Sequence, residues 1–285
     1  MEKNLRVAFF GTPDRALWCL DQMKAAGVLP VVVITAPDKP KGRGLILSPS
    51  DVKVWAEQNS IPVLTPTTLK DTEFEKAYTA YSPDIALVLA YGKIIPENIL
   101  EIPKYKTLNI HGSLLPKLRG ASPIETTILN SETPGVTLML MDKEMDHGPI
   151  LAMKELSFSH IPHAVELAKT VIQAGTELFL SSVSSWISNK LVPIEQDHTK
   201  ATYTQKISKD MGEIDINTLD EHTWRKYQAL TPWPGLYFFV THQNTKKRVI
   251  VKEAHFDGVF HIDTVVVEGK KPQTFTSFKD TYLQR

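Results

Sequence analysis

Cysteine is nearly missing from this chain: Cys19 is the one thiol among 285 residues. An intrachain disulfide is therefore impossible, and zinc ribbons and C-x-x-C redox motifs are excluded. A surplus of one charge is missing too, since 32 Lys and Arg stand against 32 Asp and Glu. Indiscriminate coating of nucleic acid has no basis in that balance, so any polyanion site must be a local patch. No stretch approaches the roughly 20 apolar residues that a bilayer span needs. The first apolar run, residues 7–10, is too short for a signal segment and breaks at Gly11 and Pro13. A cytoplasmic setting is the expectation. Gly11-Thr-Pro-Asp14 after the first apolar run is not a G-x-G-x-x-G fingerprint, and H-E-x-x-H is absent.

What is present is an alternation of short β-branched runs and helix-period segments up to residue 190. Residues 5–10, 29–35 and 85–90 read as buried strands, because continuous apolar runs of that length suit a parallel sheet covered on both faces. Asp14 is placed to cap a helix whose Ala16, Leu20 and Met23 share one side. Residues 136–141 and 150–156 read as two antiparallel strands. A long helix then carries Ala164, Ala168, Val171 and Leu178 along one stripe, extended by Phe179, Val183 and Ile187. Near Val192 the pattern changes to a helix around 219–230, Thr231-Pro-Trp-Pro-Gly235, and short alternating runs at 248–252 and 264–268. The expected fold is α/β with a mostly parallel sheet over 1–190, a linker over 191–204, and a small all-β module over 205–285.

The most informative segment is Thr107-Leu-Asn109-Ile-His111-Gly112-Ser113-Leu-Leu-Pro116. Strand residues two apart share a face, so Asn109 and His111 point the same way. They stand at the carboxyl end of a strand, where open α/β sheets bind ligands. An amide beside an imidazole offers two donors to an oxygen that becomes negative. Local backbone capping is the bland alternative, and the commoner one for a His and an Asn taken at random. The second segment, Met141-Asp142-Lys143-Glu144-Met145-Asp146-His147-Gly148, falls in the turn between the two late strands. Asp146 or Asp142 is placed there to orient His111, against the alternative of a solvated turn. His111, Asp146 and His147 are competent zinc ligands, but no metal-site spacing accompanies them and no metal is expected. Ser122-Pro123-Ile124-Glu125 reads as a capping box that starts a helix. Pro37-Asp38-Lys39-Pro40-Lys41-Gly42-Arg43-Gly44 sets three cations against one acid and is the best local phosphate-binding patch.

Asn109-x-His111-Gly-Ser-Leu-Leu-Pro116, with Arg119-Gly120 behind it and then Asp142 to Gly148, resembles the folate-dependent formyltransferases. Phe9-Phe-Gly-Thr-Pro-Asp14, the 37–44 loop, Val88-Leu-Ala-Tyr91-Gly92 and Thr231-Pro-Trp-Pro234 narrow the resemblance to the branch acting on methionyl-tRNA, over about residues 5–240. The resemblance implies a Rossmann-like catalytic domain followed by a small β-barrel of OB-like type, acting as a monomer. It implies transfer of a formyl group from 10-formyltetrahydrofolate to the α-amino group of methionyl-tRNA. It places the catalytic trio on Asn109, His111 and Asp146. Folate contacts fall on Ser113, Leu114, Leu115 and Pro116 and on the backbone near Ala90 and Tyr91, and tRNA contacts on Lys39, Lys41 and Arg43. Leu45-Ile-Leu47 departs from the family by standing where its basic loop continues with lysines. The module after residue 200 is short, so a shortened barrel is expected, and its 12 Lys and Arg against 10 acids over 201–285 make a weak polyanion platform. The competing readings keep the donor and change the acceptor: a nucleotide-linked amino sugar, or water in a formyl-folate hydrolase.

Overall fold

The computed structural model describes residues 5–41 and 46–283, and of Lys41 the backbone alone. Arg43 and Leu45 lie outside the described residues. The chain folds as two compact units, one of Met1–Pro123, Thr133–Ser157 and Ala168–Thr204, the other of Ile124–Glu132, Phe158–Leu167 and Gln205–Arg285.

The first unit holds β1 (Val7–Gly11), β2 (Val32–Ile34), β3 (Lys39–Lys41), β4 (Ile46–Ser48), β5 (Val63–Leu64), β6 (Ile85–Leu89), β7 (Thr107–His111), β8 (Arg119–Gly120), β9 (Gly135–Leu140), β10 (Ile150–Glu155) and β11 (Tyr203–Thr204). Among the described residues, seven of these form one sheet in the order β10-β9-β7-β6-β1-β2-β5. From β7 to β5 the neighbours run parallel; β9 and β10 are antiparallel additions at the β7 edge. This is the expected mostly parallel sheet, closed by the two late strands. β1 and β6 are apolar runs because both faces are covered, and every residue of β1, β6 and the mixed polar and apolar β7 is buried. On one face Phe10 meets the rings of Tyr78 and Tyr91 edge-on, each at 5.4 Å.

The helices that cover the sheet follow from the same alternation. They include α1 (Ala16–Ala25), α2 (Asp51–Gln58), α3 (Thr72–Ala80) and the short α4 (Glu97–Leu100). Ala16, Leu20 and Met23 of α1 are buried as their spacing requires. Asp14 does not cap α1, contrary to expectation. Its carboxylate accepts from the adjacent Arg15 N–H, at 2.7 Å, while Ala16 and Leu17 N–H donate to the carbonyls of Pro13 and Asp14. The Pro13-Asp14 turn already winds as a helix, so backbone oxygens satisfy the first N–H groups. Helix α5 (Pro123–Leu129) starts at the proline of the expected box, and α6 (Ala164–Ile187) is the expected long helix. A methyl group on Gly175 of α6 would come within 2.4 Å of Ile110 Cγ2, so that glycine lets the helix lie directly against β7.

Cys19 sits on the buried side of α1, and burial pushes its thiol up to about 12. Thiolate is the reactive form. An alkylating reagent near neutral pH is therefore expected to leave the native protein unlabelled and to label Cys19 fully in denaturant. Mass spectrometry of both samples checks this, and rapid labelling of the native chain would contradict the packing described.

Residues 191–204, expected as a linker, are fastened to the first unit. Ile194 and Ile150 exchange backbone hydrogen bonds, and Arg119 N–H donates to the Thr202 carbonyl at 2.8 Å. Strand β11 pairs in parallel with β8, Tyr203 beside Arg119 and Thr204 beside Gly120.

The second unit carries α7 (Glu221–Leu230), whose Asp220 carboxylate accepts from Thr223 N–H at 2.9 Å. After it come β12 (Tyr237–His242), β13 (Thr245–Phe256), β14 (Phe260–Val267), β15 (Gln273–Thr274) and α8 (Phe275–Tyr282). The strands form a four-stranded antiparallel sheet paired in that order. The expected shortened barrel is thus a short sheet whose pairing, among the described residues, runs in a line. Phe278 of α8 is fully buried with its ring 5.6 Å from Phe238. No helix among the described residues is long and apolar enough to cross a membrane.

Candidate active site

Strand β7 ends in Asn109-Ile-His111, and the pleat sends both polar side chains to one side. Both are almost wholly buried, with 8% of Asn109 and 5% of His111 exposed. They meet Asp146, which comes from the turn joining β9 to β10. Asn109 Nδ2 donates to Asp146 Oδ1 over 3.5 Å, and His111 Nδ1 stands 3.5 Å from the same oxygen. The other carboxylate oxygen, Oδ2, accepts from Gly120 N–H at 2.7 Å. Asp146 adopts φ +52°, a left-handed conformation that aspartate tolerates better than most residues. A methyl group on Gly148 would lie 2.2 Å from the Leu140 carbonyl oxygen, so the turn closes against β9 only with glycine there. Of the two acids able to orient His111, Asp146 is the one that reaches it. Asp142 is occupied by His147, Nδ1 to Oδ2 at 2.7 Å.

The His111 ring is fixed from its far side. Nε2 lies 2.9 Å from the Leu118 carbonyl oxygen. A carbonyl only accepts, so this contact assigns the proton to Nε2 and leaves Nδ1 to face Asp146. An amide donor, an imidazole nitrogen and a carboxylate oxygen therefore converge on one spot. That set can stabilise a developing oxyanion and shift a proton in the same step.

The loop after His111 is built from within. Ser113 Oγ donates to the Lys117 carbonyl at 2.6 Å, and the Ser113 carbonyl accepts from Thr137 Oγ1 at 2.7 Å. Leu115 N–H donates to the same Thr137 hydroxyl at 3.1 Å, and the Leu115–Pro116 bond is cis. Leu114 packs over Gly135, where an added methyl group would strike it at 2.3 Å. Polar atoms of this loop are engaged inside the protein, while Leu114 and Pro116 keep part of their surface in solvent. At the end of β6, Ala90 is exposed with φ +52° and Gly92 has φ +76°. The Tyr91 side chain turns into the core, where its hydroxyl has no hydrogen-bond partner among the described residues and burial pushes it up to about 12. Ala90 and Gly92, and not the Tyr91 side chain, are what this turn offers outward.

The basic loop is described in part. Lys39 is exposed on β3, and Asp38, the loop's one acid, pairs with Lys53 Nζ at 2.9 Å. Asp38 thus spends its charge on a lysine outside the loop. Lys93, which residue pattern alone did not single out, donates to the Pro66 and Thr67 carbonyls at 2.8 and 3.0 Å. Burial, and secondarily the charge of Lys39, hold it below the ordinary lysine range. Its signal in the sequence is its place directly after Tyr91-Gly92. Gln196 and His198 also escape the sequence reading, although both reach Arg119.

Comparison with known proteins gives two family matches: "Formyl transferase" over residues 5–183 and "Formyl transferase, C-terminal domain" over residues 206–264. A methionyl-tRNA formyltransferase of Thermus thermophilus is 39% identical over 243 residues, covering 85% of this chain and 78% of that protein. One from a Geobacillus species is 38% identical over 234 residues, covering 82% and 74%. Among solved structures, an N-formyltransferase from Helicobacter canadensis in complex with folinic acid and dTDP-3-aminofucose superposes with a TM-score of 0.63. It is 21% identical and covers 91% of this chain and 98% of its own, a likeness of fold.

Proposed function

The chain belongs to the formyl transferase family, and we propose that Asn109, His111 and Asp146 carry a formyl group from 10-formyltetrahydrofolate to the α-amino group of methionyl-tRNA. The observation behind this assignment of roles is the convergence of Asn109 Nδ2 and His111 Nδ1 on Asp146 Oδ1, each at 3.5 Å. Contacts of that length in a site without substrate tighten when a reacting group enters. The choice of acceptor rests on the methionyl-tRNA formyltransferases at 38% and 39% identity.

The chemistry balances on these groups. An α-amine titrates at about 7.7–8.0, so a fraction is already the free base near neutral pH. Asp146 takes the proton of an arriving ammonium and passes it to His111 Nδ1. The amine lone pair then attacks the formyl carbon, and the carbonyl oxygen becomes an oxyanion facing the Asn109 amide and the protonated Nδ1. Collapse of the tetrahedral species breaks the bond to the folate nitrogen, which receives the proton held at His111, while the attacking nitrogen gives up its second proton to the Asp146 carboxylate and from there to solvent. The products are the formamide of the methionyl group and tetrahydrofolate. No covalent bond to the enzyme is required, which agrees with Cys19 being buried elsewhere in the core. The folate is proposed to lie along Ser113 to Pro116 and the exposed backbone near Ala90 and Tyr91. Lys39, Lys41 and Arg43 are proposed to meet the tRNA phosphates.

Incubation with 10-formyltetrahydrofolate carrying a labelled formyl group tests the reading. Label is expected on charged methionyl-tRNA and not on uncharged tRNA, with an apparent KM for tRNA that rises with salt as phosphate contacts are screened. Release of label as formate at the same rate without tRNA would mark a hydrolase. Transfer to a nucleotide-linked amino sugar in preference to methionyl-tRNA would overturn the acceptor.

A further inference from the structure

Arg119 has no task in the mechanism above, yet it is a guanidinium with 2% of its surface exposed. Its Nε and Nη2 donate to Gln196 Oε1 at 3.2 and 2.6 Å, Nη2 also to His198 Nδ1 at 2.8 Å, and Nη1 to the Tyr203 hydroxyl at 3.4 Å. Among the described residues none of these acceptors is a carboxylate. A buried cation held by neutral partners is costly to keep and points to a role beyond packing.

The role is visible on the other end of Gln196, itself 5% exposed. Because Arg119 fixes the side-chain oxygen, the amide nitrogen is turned away from it, and Nε2 donates to the Asp146 carbonyl at 3.0 Å and the Gly148 carbonyl at 2.7 Å. Asp146 is thus gripped twice: by its main-chain oxygen through Gln196, and by its carboxylate through the N–H of Gly120, the residue after Arg119. A further tie secures the neighbouring residue, since His147 stacks on His198 with centroids 4.0 Å apart and rings 1° from parallel. These ties hold the turn in which Asp146 takes its left-handed conformation.

We propose that Gln196, oriented by Arg119, is a positioning residue that holds the Asp146 turn so that Oδ1 stands between Asn109 and His111. The proposal rests on the catalytic reading of Asp146. It also makes residues 191–204 part of the scaffold of the site rather than a passive connection.

Gln196→Glu separates positioning from packing. The new side chain keeps an acceptor for Arg119 and gives it a countercharge, but in ionised form it has no N–H for the two carbonyls. The thermal midpoint of the full-length variant is expected to equal or exceed that of the parent. Its kcat for formyl transfer is expected to fall about ten-fold or more, since small misplacements of a reacting group carry such losses. The KM for the formyl donor should change by less than about two-fold. In an Asp146→Asn background the same substitution should lower the residual rate by less than about two-fold, because groups acting through one another are not additive. Retention of parental kcat by Gln196→Glu, or the same ten-fold loss repeated in Asp146→Asn, overturns the proposal. Should Gln196→Glu fail to fold, Gln196→Met removes the donor without adding charge and is read by the same non-additivity. An Asp146→Asn protein with parental kcat would instead refute the catalytic reading on which this one stands.

Discussion

Asn109→Ala is expected to lower kcat for formyl transfer by about 10²–10³-fold, the loss of about 3–4 kcal/mol of transition-state stabilisation that removing one oxyanion donor brings. The size of the effect follows from where the amide is held. Asn109 lies in register with Val88 of β6 and Met139 of β9, so strands flank its backbone on both sides and the side chain has little freedom. A donor fixed before the reaction costs no reorganisation when the carbonyl oxygen becomes negative. Alanine leaves the strand's own hydrogen bonds intact, so the thermal midpoint should move far less than the rate. Asn109→Asp makes a sharper contrast. It preserves shape but replaces a donor by an acceptor directed at Asp146 Oδ1, 3.5 Å from the present amide nitrogen. Its rate should fall below that of Asn109→Ala. Single-turnover measurements with saturating donor and methionyl-tRNA report the chemical step. An Asn109→Ala enzyme within about three-fold of the parent rate would remove Asn109 from the oxyanion assignment.

How much of this site is legible in the residues depends on the physics behind each feature. Two of the central strands are legible because burial on both faces forces continuous apolar runs, and β1 and β6 carry them. The pairing of Asn109 with His111 follows from the two-residue period of a strand. Which acid joins them does not follow. Asp142 and Asp146 occupy the same turn, and the choice is made by the left-handed conformation at Asp146 and by His147 taking Asp142. The hydroxyl of Ser113 is another case, because it closes its own turn onto Lys117. Gln196 is the least legible residue. A glutamine between Glu195 and Asp197 has the composition of a solvated loop, and its importance comes from burial and from an Arg 77 positions earlier. The short sheet of the second unit is partly legible, since alternation gives β13 and β14 but does not say which strands are absent.

The second large effect is expected at Gly120, where Gly120→Ala should reduce both the thermal midpoint and kcat. Gly120 has φ +114°, a region that L side chains rarely adopt, and forcing one there costs about 1–3 kcal/mol. A methyl group would also stand 2.8 Å from Thr204 Oγ1 and 2.9 Å from the Thr204 carbonyl oxygen. The hydroxyl can rotate away, but the carbonyl belongs to β11, paired with β8 at this residue. The two strands must then part, with an overpacking cost of about 1–3 kcal/mol besides the strain. Their separation moves the N–H that holds Asp146 Oδ2 at 2.7 Å, so the rate is lost along with stability. Gly27→Ala supplies the control. Gly27 also has a left-handed φ, +75°, but nothing lies within 4 Å of an added methyl group. That variant should lose about 1 kcal/mol of stability through its backbone and keep the parental rate. If Gly120→Ala behaved like Gly27→Ala, less stable but fully active below its midpoint, the Gly120 contact would be packing alone. Asp146 would then be held in place by Gln196 and not by the β8–β11 pair.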